Sequence, residues 1–170
     1  PEETAKAMAA GAAEAGVSLF EEVTVTGISH RRDAVTGVST DHGDIECELV
    51  VNCGGMWARE IGKMCGVDVP LHAAEHMYLV TNPMDIPYDI KSLRDPDEQI
   101  YFRRDKEDEG AILMGGFEST AKPWGMNGIP EDYNFSLLEP DWEHFKVFWN
   151  SAVNRVPAMK DAGINRFYVS

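Results

Sequence analysis

The sequence predicts an α/β region in the first third of the chain and an α+β region with antiparallel strands in the rest. Three observations predict this arrangement. An alanine-rich stretch with helical spacing opens the chain, an apolar segment runs into Gly54-Gly55 ahead of a second helical pattern, and beyond Gly66 apolar residues alternate with polar ones between long loops. A hydrophobic fraction of 44% over 170 residues is enough for a folded core.

The first third predicts a helix and then a series of short strands. Alanine and methionine recur at helical spacing over residues 2–15, and Gly16 stands where a C-terminal cap belongs. Runs of β-branched and aromatic residues predict strands over 17–20, 23–28, 35–40 and 45–51, with polar turns over 30–33 and 41–44. The strand that ends in Leu49-Val50-Val51 is expected to be fully buried.

The turn after that strand is the first candidate site. Gly54 and Gly55 allow another group to approach the backbone closely, and the helix that follows offers free N–H groups to an anion. These features predict contact with a ligand phosphate or the edge of a cofactor. A tight turn that serves packing alone is the alternative. The sequence contains no G-x-G-x-x-G dinucleotide motif.

The rest of the chain predicts an antiparallel sheet and one long helix. Residues 72–81 alternate as one long strand, with one face formed by His72, Ala74, His76, Tyr78 and Val80. The pair Gly115-Gly116 inside a predicted strand indicates a bulge or the close approach of another group. Further strands are predicted over 99–103, 111–117 and 164–169, a helix with an aromatic core stripe over 141–153, loops over 82–96 and 118–139, and a solvated hairpin tip over 104–110.

Charge and cysteine content exclude several classes of function. Lys and Arg number 15 and Asp and Glu 29, and the resulting net charge of −14 repels nucleic acid. No apolar run reaches the roughly 18 residues of a membrane span, and Pro1-Glu2-Glu3 does not resemble a secretory leader. Cys47, Cys53 and Cys65 lack metal-site spacing, which predicts reduced thiols, no bound metal and a location in the cytoplasm or the mitochondrial matrix.

Several motifs resemble one family of enzymes. The run Val50–Arg59, VVNCGGMWAR, is similar to the V-V-N-x-A/G-G-x-W-A segment of the FAD-dependent amine oxidoreductases that include D-amino-acid oxidase and the sarcosine and dimethylglycine dehydrogenases. Residues 75–81 resemble the H-H-x-Y-V-V-T strand of those dehydrogenases, with Glu75 in place of the first His. Further motifs match in the same order: Leu93-Arg94-Asp95, Ile100-Tyr101-Phe102-Arg103, Gly115-Gly116-Phe117-Glu118 and Asn154-Arg155-Val156-Pro157.

The resemblance implies a division into two domains. Residues 1–67 match part of a Rossmann-type FAD-binding domain, and residues 68–170 match part of an antiparallel-sheet substrate domain. The resemblance also implies that the N- and C-terminal parts of the same enzyme are missing here, so we expect the isolated chain to be an inactive segment. Tetrahydrofolate is implied as a possible acceptor of a one-carbon product in a downstream domain.

The same resemblance implies which residues lie beside FAD. It places Val23 at the adenine end of the cofactor, and in the glycine turn it places Cys53, Gly54, Gly55 and Trp57. An ordinary core valine is the alternative for Val23. For Trp57, the alternative is a ring that only anchors the helix.

Three residues of the second region are implied in the substrate site. Tyr101 matches a tyrosine on the strand that faces the substrate, where its hydroxyl would bind the carboxylate or amine. His76 is a candidate to take a proton from the substrate ammonium, because imidazole side chains act as general bases near neutral pH. Arg103 shares a strand face with Tyr101 and is a candidate to bind a carboxylate. The structural alternatives are a sheet aromatic, a satisfied histidine and a solvated arginine.

The resemblance therefore implies oxidative N-demethylation of dimethylglycine or sarcosine, small methylated amines, with FAD as electron acceptor. A D-amino-acid or glycine oxidase of the same fold is one alternative. A non-catalytic binding or scaffold domain that requires no flavin is the other.

Overall fold

The computed structural model describes residues 2–134 and 136–170. The chain divides after Leu71 into two compact units, of which the second spans His72–Ser170. Within the described residues, no helix is both long and apolar enough to cross a membrane.

Helix α1, Glu2–Glu14, opens the first unit and confirms the first predicted helix. A glycine cap ends it, as predicted. Gly16 has a φ of +90°, which residues with side chains rarely adopt, and its N–H donates to the Ala13 carbonyl oxygen at 3.0 Å. The Val17 N–H donates to the Ala12 carbonyl oxygen at 3.0 Å, so the last turn keeps partners for two of its carbonyl groups.

Three antiparallel strands follow in the first unit: β1 Val25–Arg31, β2 Ala34–Thr40 and β3 Gly43–Glu46. They form a sheet in the order β1-β2-β3. The β2–β3 turn is fixed because the Asp41 carboxylate accepts the Thr24 N–H at 3.0 Å and because Gly43 takes a φ of +121°. The strand predicted over 35–40 and the turn predicted over 41–44 are confirmed, whereas β1 continues into the predicted turn over 30–33.

Two strand predictions in the first unit are wrong. Residues 17–20 contain no strand, and the segment predicted over 45–51 leaves β3 after Glu46. Leu49 and Val51 are 78% and 74% exposed rather than buried. An apolar run forms a strand only where its N–H and C=O groups find partners, and the described residues of this unit supply no strand that pairs with residues 17–20 or 48–51.

The described residues of the second unit, 72–134 and 136–170, form seven strands and two helices. A short ribbon pairs β4 Ala73–Ala74 with a later strand, β9 Pro123–Trp124. The other strands are β5 Met77–Thr81, β6 Leu93–Asp95, β7 Ile100–Arg104, β8 Ile112–Gly116 and β10 Ile164–Val169. They form an antiparallel sheet in the order β10-β5-β8-β7-β6. The helices are α3 Trp142–Arg155 and α4 Ala158–Ala162.

One face of the five-stranded sheet packs against α3 and forms the core. Side chains alternate along a strand, so every second residue of β5, β7 and β8 reaches this face. The buried members include Met77, Leu79, Ile100, Phe102, Ile112, Met114, Phe145 and Phe148. Asp141 caps α3 because its carboxylate accepts the His144 N–H at 3.1 Å. The aromatic stripe predicted for this helix is therefore part of the core.

The strand predicted over residues 72–81 is interrupted, because the chain changes hydrogen-bond partners at Glu75-His76. The Glu75 N–H donates to the Lys122 carbonyl oxygen at 2.9 Å, next to β9, whereas the His76 N–H donates to the Ser170 carbonyl oxygen at 2.8 Å, next to β10. The loop predicted over 82–96 contains β6, which pairs with β7. Helix α4 has no counterpart among the predicted elements.

Candidate active site

The face of the five-stranded sheet opposite α3 carries a row of aligned residues. One residue from each strand lies in register with the next, in the order Tyr168, Tyr78, Gly115, Tyr101 and Arg94. Neighbouring strands are about 4.8 Å apart, so the row gathers three phenol rings around one glycine.

Tyr101 packs directly across Gly115. A Cβ at Gly115 would overlap the ring and hydroxyl of Tyr101, so the ring can occupy this place only while residue 115 is glycine. On the other side of Gly115, Tyr78 stacks on Tyr168 with ring centroids 4.8 Å apart. The close approach predicted from the glycine pair is confirmed. Tyr78 and Tyr168 are candidates that sequence reasoning did not select, although strand alternation had placed Tyr78 on the face of His76.

Burial raises the pKa of the Tyr101 phenol above its ordinary value, and the neighbouring Tyr78 adds to the rise. The guanidinium of Arg103 opposes this rise, and the carboxylate of Glu118 adds a smaller contribution in favour of it. Because the ordinary pKa of tyrosine is already about 10, Tyr101 keeps its proton at neutral pH and acts as a hydrogen-bond donor.

An exposed aromatic ring connects Tyr101 to His76. Phe117 is 48% exposed, and its ring centroid lies 5.4 Å from those of both His76 and Tyr101. The guanidinium of Arg94 lies 5.0 Å from the centroid of the same ring. Phe117 and Arg94 were not among the predicted site residues, and the only sequence signal for them was their presence in two of the family-like motifs.

Arg103 lies two residues after Tyr101 on the same face of β7. Its Nη1 donates to the Arg104 carbonyl oxygen at 3.0 Å. Together with Tyr78 and Tyr168 it lines a cavity of about 240 Å³, whose remaining wall is formed by Val80, Asp105, Glu107, Leu113 and Arg166.

The turn between β7 and β8 agrees only in part with the predicted solvated tip, because Lys106, Glu107 and Glu109 are exposed but Asp105 is buried. Asp105 is only 8% exposed, and its Oδ2 accepts the N–H groups of Glu107 at 3.0 Å and Asp108 at 2.9 Å. Arg166 of β10 pairs with Asp108 at 2.7 Å, Glu107 at 2.8 Å and Asp105 at 3.3 Å. Burial opposes ionisation of Asp105, but these N–H groups and the positive charges of Arg166 and Arg103 outweigh it, so the pKa of Asp105 lies below its usual value.

The glycine turn of the first unit is held by an asparagine. Asn52 Oδ1 accepts the Gly54 N–H at 3.2 Å, and Asn52 Nδ2 donates to the Ala58 carbonyl oxygen at 2.9 Å. The chain then forms a 3-10 turn, Gly55–Trp57, and helix α2, Ala58–Lys63, which confirms the helix predicted after the glycines. Sequence reasoning gave Asn52 no role of its own.

The predicted site residues therefore form two groups, one in each unit. Tyr101 and Arg103 share the open face of β7, and His76 joins them through the ring of Phe117. Cys53, Gly54, Gly55 and Trp57 lie in the glycine turn, while Val23 is half-buried ahead of β1. In residues 2–134 and 136–170, no cluster of three or more His, Cys, Asp or Glu side chains is suited to a metal ion.

Comparison with known proteins identifies the family. Residues 1–170 match the FAD dependent oxidoreductase (DAO) family. The chain belongs to this family. It is 38% identical over 162 residues to the mitochondrial pyruvate dehydrogenase phosphatase regulatory subunit of Mus musculus, and 36% identical over 169 residues to the mitochondrial sarcosine dehydrogenase of Homo sapiens. These matches cover 93% and 96% of the chain but 18% of either relative, so the chain spans less than a fifth of their length.

The solved structures confirm the predicted fold class. L-proline dehydrogenase from P. horikoshii matches the whole chain with a TM-score of 0.77, and the match covers 42% of that protein at 23% identity. At this low sequence identity, the structural agreement shows a shared fold and no more. The family resemblance inferred from the motifs is confirmed by the match over residues 1–170.

The two glycines of the turn differ in how open they are to a flavin, the cofactor of this family. A Cβ at Gly54 would overlap the Ile61 side chain, so packing inside the unit already requires glycine there. Gly55 has a φ of +54°, and a Cβ placed on it would meet no atom within 4 Å, which leaves its outer side open to another group. Cys53 is exposed and Trp57 is 40% exposed, so both side chains at the rim of the turn are accessible.

Proposed function

We propose that this chain is part of an FAD-dependent enzyme that oxidatively demethylates a methylated glycine such as sarcosine or dimethylglycine. The observation that carries the proposal is the open sheet face, where a protonated Tyr101 packs over Gly115 next to Arg103. The 36% identity to a sarcosine dehydrogenase supports the substrate class.

Each residue of this face has a chemical role in the proposal. Arg103 binds the carboxylate of the substrate, and the Tyr101 hydroxyl donates a hydrogen bond that fixes the orientation of the amino acid. His76 takes the proton of the substrate ammonium, because only the neutral amine can release a hydride from its N-methyl carbon. Phe117 covers this end of the row and limits access of water to it.

The cofactor-binding role of the first unit is also part of the proposal. We assign contact with FAD to Val23, Cys53, Gly54, Gly55 and Trp57, with Gly55 as the position best supported by its open backbone. FAD, when bound, supplies the two-electron oxidation. Residues 1–67 are then part of the FAD-binding domain and residues 68–170 part of the substrate domain. Inactivity of the isolated chain, the missing parts of the enzyme and a tetrahydrofolate acceptor stay predictions.

The location of the protein is a further element of the proposal. We place the protein in the mitochondrial matrix, because the regulatory subunit and the sarcosine dehydrogenase that it resembles are both described as mitochondrial. The three free cysteines fit such a reducing compartment.

A second candidate function is non-catalytic, and one observation favours it. The relative with 38% identity is a phosphatase regulatory subunit rather than a dehydrogenase. If this chain has the same kind of role, its sheet face binds a ligand or partner without oxidising it.

Rapid mixing of the full-length, flavin-loaded protein with amines under anaerobic conditions tests the proposal. Sarcosine or dimethylglycine should bleach the flavin absorbance, whereas glycine and D-alanine should not. Tyr101→Phe should lower kcat/KM by about ten- to a hundredfold, because a hydrogen bond to a charged group contributes about 1.5–3 kcal/mol. The matched control Tyr88→Phe, at an exposed tyrosine that packs under Arg104, should leave kcat/KM unchanged.

The other results identify the alternatives. Bleaching by glycine or D-alanine instead of the methylated amines would establish an amino-acid oxidase. A full-length protein that binds no flavin, or a flavin that no amine reduces, would contradict the enzymatic proposal and favour the regulatory one. Equal kinetics of Tyr101→Phe and the wild type would remove Tyr101 from the site.

A further inference from the structure

Two arginines face the same cavity on the open sheet face, but their surroundings differ. Arg166, Val80, Leu113 and Arg103 lie in register on four adjacent strands, so about three strand spacings, near 14 Å, separate the two backbones. Arg166 pairs with three carboxylates. Arg103 donates to a backbone carbonyl oxygen, and none of the described carboxylates lies within 4.0 Å of its guanidinium.

Asp105 is the group for which the two arginines compete. It follows Arg103 by two residues, lines the same cavity, and has its pKa lowered by the charges of both Arg166 and Arg103. In the structure Asp105 pairs with Arg166, whose Nη2 lies 3.3 Å from Asp105 Oδ2.

The neighbouring carboxylates of Glu107 and Asp108 also accept hydrogen bonds from residues of β10. Asp108 accepts from both Arg166 at 2.7 Å and Asn165 at 3.1 Å, and Glu107 accepts from Arg166 at 2.8 Å. Without Arg166, three negative charges in the β7–β8 turn would lose their shared partner, and the charge of Arg103 would still act on Asp105. An ion pair between Arg103 and this turn would then occupy the guanidinium that a carboxylate ligand needs.

We propose that Arg166 is a positioning residue that determines specificity for substrates with a carboxylate. It holds Asp105, Glu107 and Asp108 at the β10 edge and so keeps Arg103 available for the carboxylate of the substrate. This inference rests on the proposed function, because it assumes that Arg103 binds that carboxylate. It adds that the selectivity for amino acids over simple amines depends on a residue that does not itself touch the substrate.

The experiment compares four variants of the full-length, flavin-loaded protein: Arg166→Met, Arg166→Lys, Asp105→Asn and Arg166→Met combined with Asp105→Asn. Asparagine at 105 keeps an oxygen for the N–H groups of Glu107 and Asp108 while it removes the charge. Arg155→Met is the control, since Arg155 lies at the end of α3 and pairs only loosely, at 3.8 Å, with Asp95. The readouts are the Kd of acetate by titration calorimetry and the kcat and KM for sarcosine and for dimethylamine, which has no carboxylate.

In Arg166→Met we expect the acetate Kd and the sarcosine KM to rise about tenfold, with kcat changed less than about twofold and with unchanged kinetics on dimethylamine. Arg166→Lys should recover part of the affinity, and the double variant should return to within about threefold of the wild type. Asp105→Asn alone should bind acetate more tightly than the wild type does. Arg155→Met should match the wild type.

Each contrary result has one meaning. Wild-type acetate affinity in Arg166→Met, or equal losses on sarcosine and dimethylamine without rescue by Asp105→Asn, would overturn the role of Arg166. If Arg166→Met does not fold, Asp105→Asn decides, and an unchanged acetate Kd overturns the proposal. A wild-type protein that neither binds acetate nor oxidises any amine contradicts the proposed function itself, which separates that failure from a failure of this inference.

Discussion

The two faces of the five-stranded sheet come from the same strands but differ in the chemistry and burial of their side chains. The face towards α3 is filled by aliphatic and aromatic side chains that are almost completely buried. The opposite face holds tyrosines and arginines around a cavity. Its three tyrosines are only partly buried, although Val80 and Leu113 between them are buried. Strand alternation thus lets one short sequence supply a core and a candidate site at the same time.

The glycine pair of β8 shows the difference most directly. A Cβ at Gly116 would overlap the ring of Phe148 from α3, whereas a Cβ at Gly115 would overlap the ring of Tyr101. Both glycines admit an aromatic ring against the backbone. One ring belongs to the packed core and cannot move aside, but the other stands at the half-covered face. Two adjacent glycines therefore serve stability and the candidate site separately.

The largest expected effect comes from the core face. Phe145→Ala should lower the free energy of unfolding by about 3–5 kcal/mol, because a fully buried phenyl ring is lost and a cavity remains. Denaturant unfolding of the full-length protein measures this change. Val147→Ala on the exposed side of α3 is the control and should change stability by less than about 0.5 kcal/mol. Equal effects of the two substitutions would contradict the division between the faces.

A smaller effect distinguishes the two glycines. Gly116→Ala should destabilise the protein by about 1–3 kcal/mol, since the methyl group overpacks a rigid core. Gly115→Ala should cost less than about 1 kcal/mol because Tyr101 can turn towards the cavity, but it should lower kcat/KM about as much as Tyr101→Phe does. Unfolding curves and flavin reduction rates of both variants provide the test. Similar activity losses in both would show that the faces are not independent.

The sequence predicted most of this sheet because its signals are local. The alternation over residues 99–103 and 111–117 and the aromatic stripe of α3 depend on neighbours in the chain, and all of them appear in the structure. Leu49–Val51 has an equally clear apolar signal but lacks a partner strand in its unit, so the prediction of a buried strand failed there. A strand requires partners, and partners are not encoded locally.

The sequence predicted part of the candidate site, as it predicted part of the fold. Tyr101, Arg103 and His76 came from motif resemblance and lie on or next to one face. Tyr78 and Tyr168 join them through cross-strand register, and Phe117 joins them through ring contacts, so residues from distant parts of the chain come together. The role of Asp105 was missed because a run of charged residues normally indicates a solvated turn, and only the structure shows Arg166 reaching it from β10.

The smallest expected effect concerns the pH dependence of the open face. The pKa of Asp105 is lower in the folded protein than its ordinary value of about 3.9, so the folded state favours the ionised carboxylate. Its contribution to stability is present above that ordinary value and is lost as the pH falls through the lower pKa of the folded state. Asp105→Asn should therefore be less stable than the wild type near neutral pH, and this difference in stability should disappear on acidification.

The core variant Phe145→Ala is the control. Its loss of stability relative to the wild type should persist down to the pH at which the protein as a whole begins to unfold. Thermal unfolding of both variants as a function of pH measures this contrast, and a pH-independent gap for Asp105→Asn would show that the ion pairs with Arg166 do not stabilise this face.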